Sequence, residues 1–147
     1  MPFSSVQHVY FDDLDALNIL HNVRYLLMME RARGELFNEL GFRWEDDLGK
    51  NPDKYHVVAE HQIRYLKAFR GEGDVHIDLT PTKLGTTSFT VAAKLTSKDG
   101  AIVHAESATR IVRLNPATDR PCPWTERFRR AVEPFLRAPG AGLTAPK

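Results

Sequence analysis

The chain has 147 residues, of which 42% are hydrophobic and 27% charged, as expected for one compact globular domain. Its formal net charge of +1 gives no global attraction for nucleic acid or an anionic membrane surface. The longest strongly apolar run, residues 26–29, is far too short to span a bilayer. Cys122 is the only cysteine, so an internal disulfide is excluded and a reducing, cytoplasmic location is expected.

The chain begins with a predicted strand that ends in an acidic turn. Residues 6–11 are rich in aromatic and β-branched residues, which favour extended backbone. Asp12, Asp13 and Asp15 follow, and aspartate is common in turns because its carboxylate accepts hydrogen bonds from nearby amides. From residue types alone, a solvated turn is the simplest explanation of these three carboxylates.

One long helix is predicted next, beginning at Asn22. The Asn22 side chain can accept from the first free amides as an N-cap, and Gly41 tolerates the left-handed backbone that ends a helix. Residues on one predicted face recur at spacings of three and four, namely Leu26, Met29, Arg33, Leu36 and Leu40. The first turns are apolar nearly all round, which predicts that other elements wrap the helix.

After the polar connection of residues 42–54 the apolar period changes to two, which predicts four more strands. In the first of them, alternation places these residues on one face: Val57, Ala59, His61, Ile63 and Tyr65. Pro81 is expected to interrupt its strand or to lie on an edge. Residues 97–100 predict a hairpin, since Asp-Gly favours the positive φ of tight turns.

Thr125 is predicted to cap a last helix that extends to residue 137, and residues 138–147 are predicted to be a flexible tail. The element order is strand, long helix, four strands as a meander, and a terminal helix. This order predicts an α+β fold in which an antiparallel sheet curls around one central helix. Residues 1–137 are predicted to form a single domain.

The stretch FDDLDALNILHNVRYLLMMERAR, residues 11–33, resembles the opening motif of hotdog-fold acyl-CoA thioesterases of the 4-hydroxybenzoyl-CoA thioesterase type. In that family an Asp-x-Asp turn leads through a short polar segment into the central helix. The element order agrees as well, and the likeness extends from about Val6 to Trp124. Because a motif and an element order agree, the resemblance is fairly specific.

The resemblance implies hydrolysis of a fatty or aromatic acyl-CoA with Asp15 as the catalytic carboxylate. It also implies that a backbone amide near Asn22 and Val23 polarises the thioester carbonyl. Coenzyme A would be part of the substrate, and no other cofactor would be needed. A homodimer with a joined sheet and its active site at the subunit seam is implied, and such dimers often pair into homotetramers.

Two residues depart from the family pattern. Asn18 stands where relatives commonly carry glycine, and asparagine can adopt the same left-handed backbone. His21 lies one position earlier than the usual histidine of the motif. We list His21 as a candidate substrate-binding residue, together with His61 on the apolar face of its strand, because apolar pockets carry a few polar groups.

An aspartate with an ordinary pKa of about 3.9 is ionised at neutral pH. Asp15 could therefore attack the thioester carbonyl as a nucleophile or activate water as a general base. The sequence leaves both roles open, and Asp12 and Asp13 are assigned to the turn. Glu30, inside the helix, is expected to pair with a nearby arginine because buried charges need partners.

No metal site is predicted. His56 and His61 are five residues apart on a strand, so alternation points them to opposite faces, and no other histidine pair has ligand spacing. Cations that could meet coenzyme A phosphates, or be ordinary surface charge, are Arg64, Lys67, Arg70 and Lys83.

Three other functions stay open. One is a hotdog protein that binds acyl-CoA without hydrolysing it, and another is an assembly domain without a site. The third is an enoyl-CoA hydratase or dehydratase, which normally needs a histidine with an acidic partner for proton transfer on carbon.

Overall fold

The computed structural model describes residues 3–136, and the tail predicted for residues 138–147 lies outside this range. The helices and strands are β1 (Phe3–Val9), α1 (Asn22–Glu39), β2 (His56–Tyr65), β3 (Gly73–Leu84), β4 (Ser88–Ser97), β5 (Val103–Arg113) and α2 (Glu126–Val132). Short 3-10 turns occupy Phe11–Asp13, Pro52–Lys54 and Glu133–Phe135. Within the described range no helix is long and apolar enough to span a membrane.

The five strands form one antiparallel sheet in the order β1-β3-β4-β5-β2. The α+β architecture is confirmed, but the prediction of a four-strand meander is wrong. Only β3, β4 and β5 follow one another across the sheet, whereas β2 pairs with β5 at the far edge. Residues 66–72 therefore cross from the β2 edge to β3 on the other side, past the beginning of α1.

A β-bulge in β2 changes which side chains face the helix. The register with β5 shifts between Val58 and Glu60. An extra residue in one strand reverses the alternation beyond it. Val58 pairs with the fully buried Ile111, while Val57, predicted for the inner face, is 47% exposed.

The same bulge overturns the expectation that His56 and His61 face opposite ways. The His56 ring stacks on Phe37 of α1 at 5.3 Å between centroids, and His61 Nε2 lies 3.4 Å from Glu30 of α1. Both histidines therefore face the helix. No group of three or more His, Cys, Asp or Glu side chains in residues 3–136 is arranged to hold a metal ion.

The N-cap of helix α1 lies one residue earlier than predicted. His21, not Asn22, is the N-cap: its backbone is extended, and its side chain accepts from the Val23 amide. At the other end Gly41 has a φ of +90°, and the Phe42 amide bonds the Phe37 carbonyl at 2.8 Å. This Schellman arrangement confirms Gly41 as the predicted helix stop.

The buried face of α1 is rotated from the predicted one. Tyr25, Met28 and Ala32 lie in the core, where the helix packs against β1, β3 and β4. The predicted Leu26 and Leu40 are only partly buried. In addition, Val23 is 60% and Leu27 38% exposed, so the prediction that other elements wrap the first turns is wrong for this chain by itself.

Aromatic side chains fill the end of the core that lies beyond the C-terminus of α1. Trp124 and Phe128 stack at 4.3 Å between ring centroids, and Phe128 also stacks on Phe37. Thr125 caps α2 as predicted, because its hydroxyl accepts from the Phe128 amide at 3.2 Å. The helix ends at Val132, earlier than predicted, and continues as the 3-10 turn that contains Pro134. Proline disfavours a continued α-helix because it has no amide to donate and its ring clashes with the preceding turn.

Candidate active site

The segment between β1 and α1 is a small hairpin rather than an open turn. Leu14 and Leu20 form an antiparallel bridge. The Asp15 amide donates to the Ile19 carbonyl at 2.8 Å, and the His21 amide donates to the Asp13 carbonyl at 2.9 Å. Because its two arms pair, the hairpin folds Asp15 back beside the beginning of α1.

Asn18 lies at the tip of this hairpin with a φ of +62°. Its amide donates to the Asp15 carbonyl at 3.0 Å, and its carbonyl accepts from the Gly71 amide at 3.0 Å. The prediction that asparagine supplies the left-handed residue here is confirmed. Asparagine is one of the few non-glycine residues that adopt this backbone at modest cost.

The hairpin holds one oxygen of Asp15 and leaves the other open. Asp15 Oδ1 accepts from the Leu17 amide at 2.8 Å and from the Ile19 amide at 3.2 Å. No donor within residues 3–136 contacts Oδ2. The carboxylate is solvent-exposed, so an incoming substrate can reach the oxygen that the hairpin does not use.

The surroundings of Asp12 and Asp13 differ from those of Asp15. Asp13 is only 6% exposed, and its Oδ2 accepts from the Tyr10 amide at 2.8 Å. Arg24 approaches its other oxygen at 3.6 Å. Asp12 is exposed and lines neither of the cavities described below. Both fit the assignment to the turn.

The beginning of α1 presents two amides that helical hydrogen bonds do not use. The Val23 amide donates to His21 Nδ1 at 3.5 Å, which is the long limit of a hydrogen bond. No acceptor in the described part of the chain contacts the Asn22 amide. These donors, with the positive end of the helix dipole, favour negative charge at this point.

A cavity of about 320 Å³ lies at this helix start and includes Asp15. It is lined by Asp15, Ile19, Leu20, His21, Asn22, Tyr25, Tyr65, Leu66, Lys67 and Ala68. Three sequence candidates, Asp15, His21 and Asn22, therefore border one space, and the Val23 amide belongs to the same helical turn. The cavity has both apolar and polar walls, as small-molecule sites generally do.

A second cavity, of about 560 Å³, meets the first at Asp15. Its lining residues are Phe11, Leu14, Asp15, Ala16, Asn18, Gly71 and Glu72. Asp15 is the one residue that these two cavities share. A molecule with two extended parts could therefore place its central atoms at the carboxylate.

Two tyrosines in the first cavity were not recognised as site residues from the sequence. The Tyr25 hydroxyl accepts from the Phe69 amide at 3.1 Å, and the Tyr65 hydroxyl donates to the Asn22 carbonyl at 3.0 Å. Their rings meet edge to face at 5.2 Å. Partial burial, with a smaller effect of Tyr25, raises the pKa of Tyr65 above its usual value of 10.0, so its hydroxyl stays protonated at neutral pH.

No local signal distinguishes these tyrosines from core residues, because Tyr25 falls on an apolar helix and Tyr65 on an alternating strand. Of the four basic residues considered for coenzyme A phosphates, Lys67 lines the first cavity. Its position follows from the crossing segment that begins after β2, which the predicted meander did not include.

The structure does not bring His61 to this cavity. His61 Nδ1 lies 2.8 Å from the Thr109 hydroxyl, and its Nε2 faces Glu30. Glu30 in turn accepts from Arg33 through both of its oxygens, at 2.6 and 2.7 Å. The predicted pairing of Glu30 with an arginine is thus confirmed, and His61 belongs to this polar cluster.

Comparison with known proteins identifies the family. The model of the thioesterase superfamily matches residues 17–104, which is more than half of the chain, so the protein belongs to the thioesterase superfamily. The matched stretch contains α1 and begins two residues after Asp15. No curated protein sequence matches the chain.

Solved structures confirm the hotdog fold. A predicted thioesterase from Bacillus stearothermophilus is 21% identical, with a TM-score of 0.81 over 95% of this chain and 100% of that one. A 1,4-dihydroxy-2-naphthoyl-CoA thioesterase from Synechocystis is 15% identical, with a TM-score of 0.77 over 90% and 96%. A Thermus thermophilus thioesterase, solved with coenzyme A and Zn, is 25% identical, with a TM-score of 0.74 over 90% and 92%.

Proposed function

We propose that this protein is an acyl-CoA thioesterase, which hydrolyses the thioester of a fatty or aromatic acyl-CoA. The observation that carries the proposal is the position of Asp15, where two cavities meet beside the amides that begin α1. A thioester has an acyl part and a coenzyme A part joined at one reactive carbon. Two cavities that meet at a carboxylate suit a substrate of this shape.

The chemistry needs only groups that the site supplies. As a nucleophile, Asp15 Oδ2 would bond to the acyl carbon while the carbon–sulfur bond breaks and the thiolate takes a proton from solvent. Water would then cleave the mixed anhydride and restore the carboxylate. As a general base, Asp15 would instead take a proton from the water that attacks the acyl carbon, and the proton would end on the leaving sulfur.

In both routes the thioester oxygen gains negative charge in the transition state. The Asn22 and Val23 amides are the proposed donors to this oxygen. Loss of one such donor typically costs about 2.7–4 kcal/mol of barrier stabilisation. Both donors are backbone groups, so Asn22→Ala is expected to reduce turnover less than a substitution of Asp15.

We also propose a homodimer in which two β2 strands pair. β2 is an edge strand, and an unpaired edge of ten residues offers a template for another strand. Large apolar side chains are exposed in β2 (Val57, Val58 and Tyr65), directly after it (Leu66) and in the first turns of α1 (Val23 and Leu27). Pairing along this edge would bring the partner beside the first cavity.

The dimer is tested by sedimentation of Val57→Glu, with Val6→Glu as a matched control. Val6 lies on the opposite edge strand, β1, and is 57% exposed, against 47% for Val57. We expect Val57→Glu to shift the protein toward monomer and Val6→Glu to leave the dimer intact. A dimer that neither substitution weakens would exclude pairing along β2.

Pairing of dimers into a homotetramer and a cytoplasmic location remain part of the proposal, the latter supported by the single cysteine.

Thiol release from a panel of aliphatic and aromatic acyl-CoAs tests the activity. We expect wild-type turnover with at least one of them and a loss of about 10²-fold or more in kcat for Asp15→Asn. Asp12→Asn is the matched control, because Asp12 is in the same segment but lines neither cavity. Near-normal rates in Asp15→Asn would refute the assignment of this residue.

The same assay separates the alternatives. Tight binding of an acyl-CoA without turnover would indicate a binding protein. A hydratase would add water to an enoyl-CoA, for which the histidine with an acidic partner would be His61 with Glu30, at 3.4 Å, or His8 with Asp74, at 2.8 Å. Both pairs lie outside the lining of the two cavities at Asp15, which makes the thioesterase the better supported function.

A further inference from the structure

The side chain that ends β2 is hydrogen-bonded to the first residue of α1. The Tyr65 hydroxyl donates to the Asn22 carbonyl at 3.0 Å, across 43 residues of sequence. The Asn22 carbonyl and the Val23 amide belong to the same peptide group. Tyr65 therefore donates to the carbonyl oxygen of the peptide group whose N–H is one of the two proposed donors to the thioester oxygen.

A hydrogen bond to a peptide carbonyl draws electron density toward its oxygen and makes the N–H of the same peptide a stronger donor. It also fixes the plane of the peptide, which matters because stabilisation of an oxyanion depends on donors that are aimed in advance. Among residues 3–136 the Val23 N–H has one acceptor, His21 Nδ1 at 3.5 Å, and a thioester oxygen can readily replace this long contact.

The surroundings of Tyr65 hold its hydroxyl in this orientation. Its ring packs edge to face against Tyr25, which is itself fixed by the Phe69 amide. Both rings line the first cavity. Tyr25 directs its own hydroxyl to the crossing segment, so of the two tyrosines only Tyr65 contacts the backbone of the helix start.

We propose that Tyr65 is a positioning residue for thioester hydrolysis, which polarises and orients the Asn22–Val23 peptide so that its N–H stabilises the oxyanion. This inference rests on the proposed function. Tyr65 acts through the peptide and does not itself contact the reacting atoms. Because it lies at the end of the open β2 edge, it also links that edge to the helix start.

The test compares Tyr65→Phe with Tyr55→Phe. Tyr55 just precedes β2, and its hydroxyl also has a hydrogen bond, to Asp119 at 2.7 Å, but it lines neither cavity. For Tyr65→Phe we expect kcat to fall about three- to tenfold, as for loss of one ordinary hydrogen bond, with KM changed less than about twofold. Tyr55→Phe should match the wild type in both constants, and sedimentation should show the same mass for all three proteins.

A second readout detects polarisation of the thioester directly. In an Asp15→Asn background, which is expected to slow turnover, isotope-edited infrared spectroscopy measures the carbonyl stretch of a bound ¹³C-labelled acyl-CoA. We expect binding to lower this frequency, and the shift to be smaller when Tyr65→Phe is added but not when Tyr55→Phe is added.

The outcomes are distinct. Unchanged kcat in Tyr65→Phe, or a lowered kcat with an unchanged carbonyl shift, would overturn the role of Tyr65 while the thioesterase proposal stands. If the wild type hydrolyses no acyl-CoA of the panel, the proposed function fails and this inference fails with it.

Discussion

Substitution of Asn18 should have a predictable effect on stability and turnover, because this residue has a left-handed backbone conformation. Its φ of +62° is costly for β-branched residues and easy for glycine. We therefore expect Asn18→Val to lower the free energy of unfolding by about 1–2 kcal/mol, which corresponds to a fall in Tm of about 2–8 °C. Asn18→Gly should stay within about 1 kcal/mol of the wild type.

The effect on turnover follows from the two amides that hold Asp15. The Leu17 and Ile19 donors flank Asn18, so strain at the tip shifts the hydrogen bonds that orient the carboxylate. A displacement of about 1 Å of a catalytic group can cost up to about 10²-fold in rate. Asn18→Val should therefore lose at least about tenfold in kcat, while Asn18→Gly should keep most of the activity.

Two measurements on each variant check this reasoning: urea unfolding followed by circular dichroism, and thiol release at a temperature well below both Tm values. The unfolding result stands whether or not the chain is a thioesterase. If Asn18→Val were as stable and as active as Asn18→Gly, the left-handed residue would not be what holds the hairpin and Asp15 in place.

Three further predictions concern the fold that carries the site. Asp53 is 2% exposed, accepts from the Thr125 amide and hydroxyl at 3.0 and 2.6 Å, and lies 3.7 Å from Arg113. Asp53→Ala should therefore lower the free energy of unfolding, measured in urea, by about 3–5 kcal/mol. A loss below about 1 kcal/mol would refute a stabilising role of these buried contacts. Burial lowers the pKa of His56, so the unfolded chain takes up a proton first as pH falls. The contribution of neutral His56 to the free energy of unfolding should be fully present above about pH 6.5 and decline below it. His56→Gln should reduce this dependence of the unfolding free energy on pH, and equal slopes in the two proteins would contradict the assignment to His56. At Gly41, whose φ is +90°, Gly41→Ala should cost about 1 kcal/mol in the same unfolding assay, and an unchanged or increased stability would show that the helix stop does not need a left-handed residue.

The fold class and part of the site could be predicted from the family resemblance and from the local chemistry of the sequence. The left-handed residues Asn18 and Gly41 and the Thr125 cap were predicted correctly, because each depends on the sterics or hydrogen bonding of one residue and its near neighbours. The α+β class followed from periodicity, which reports the local backbone. The catalytic roles of Asp15, His21, Asn22, Val23 and His61 stay predictions.

Other features could not be read from local patterns because they depend on which distant segments meet. Strand alternation gave no sign of the bulge in β2, which depends on the register with β5 and turns His56 to the helix side. The place of β2 at the sheet edge, and hence the crossing segment with Lys67, is a matter of long-range pairing. The hydrogen bond from Tyr65 to Asn22 joins residues that no sequence period connects. Side-chain sterics act over a few residues, whereas the shape of the cavity beside Asp15 is decided by packing between segments far apart in the chain.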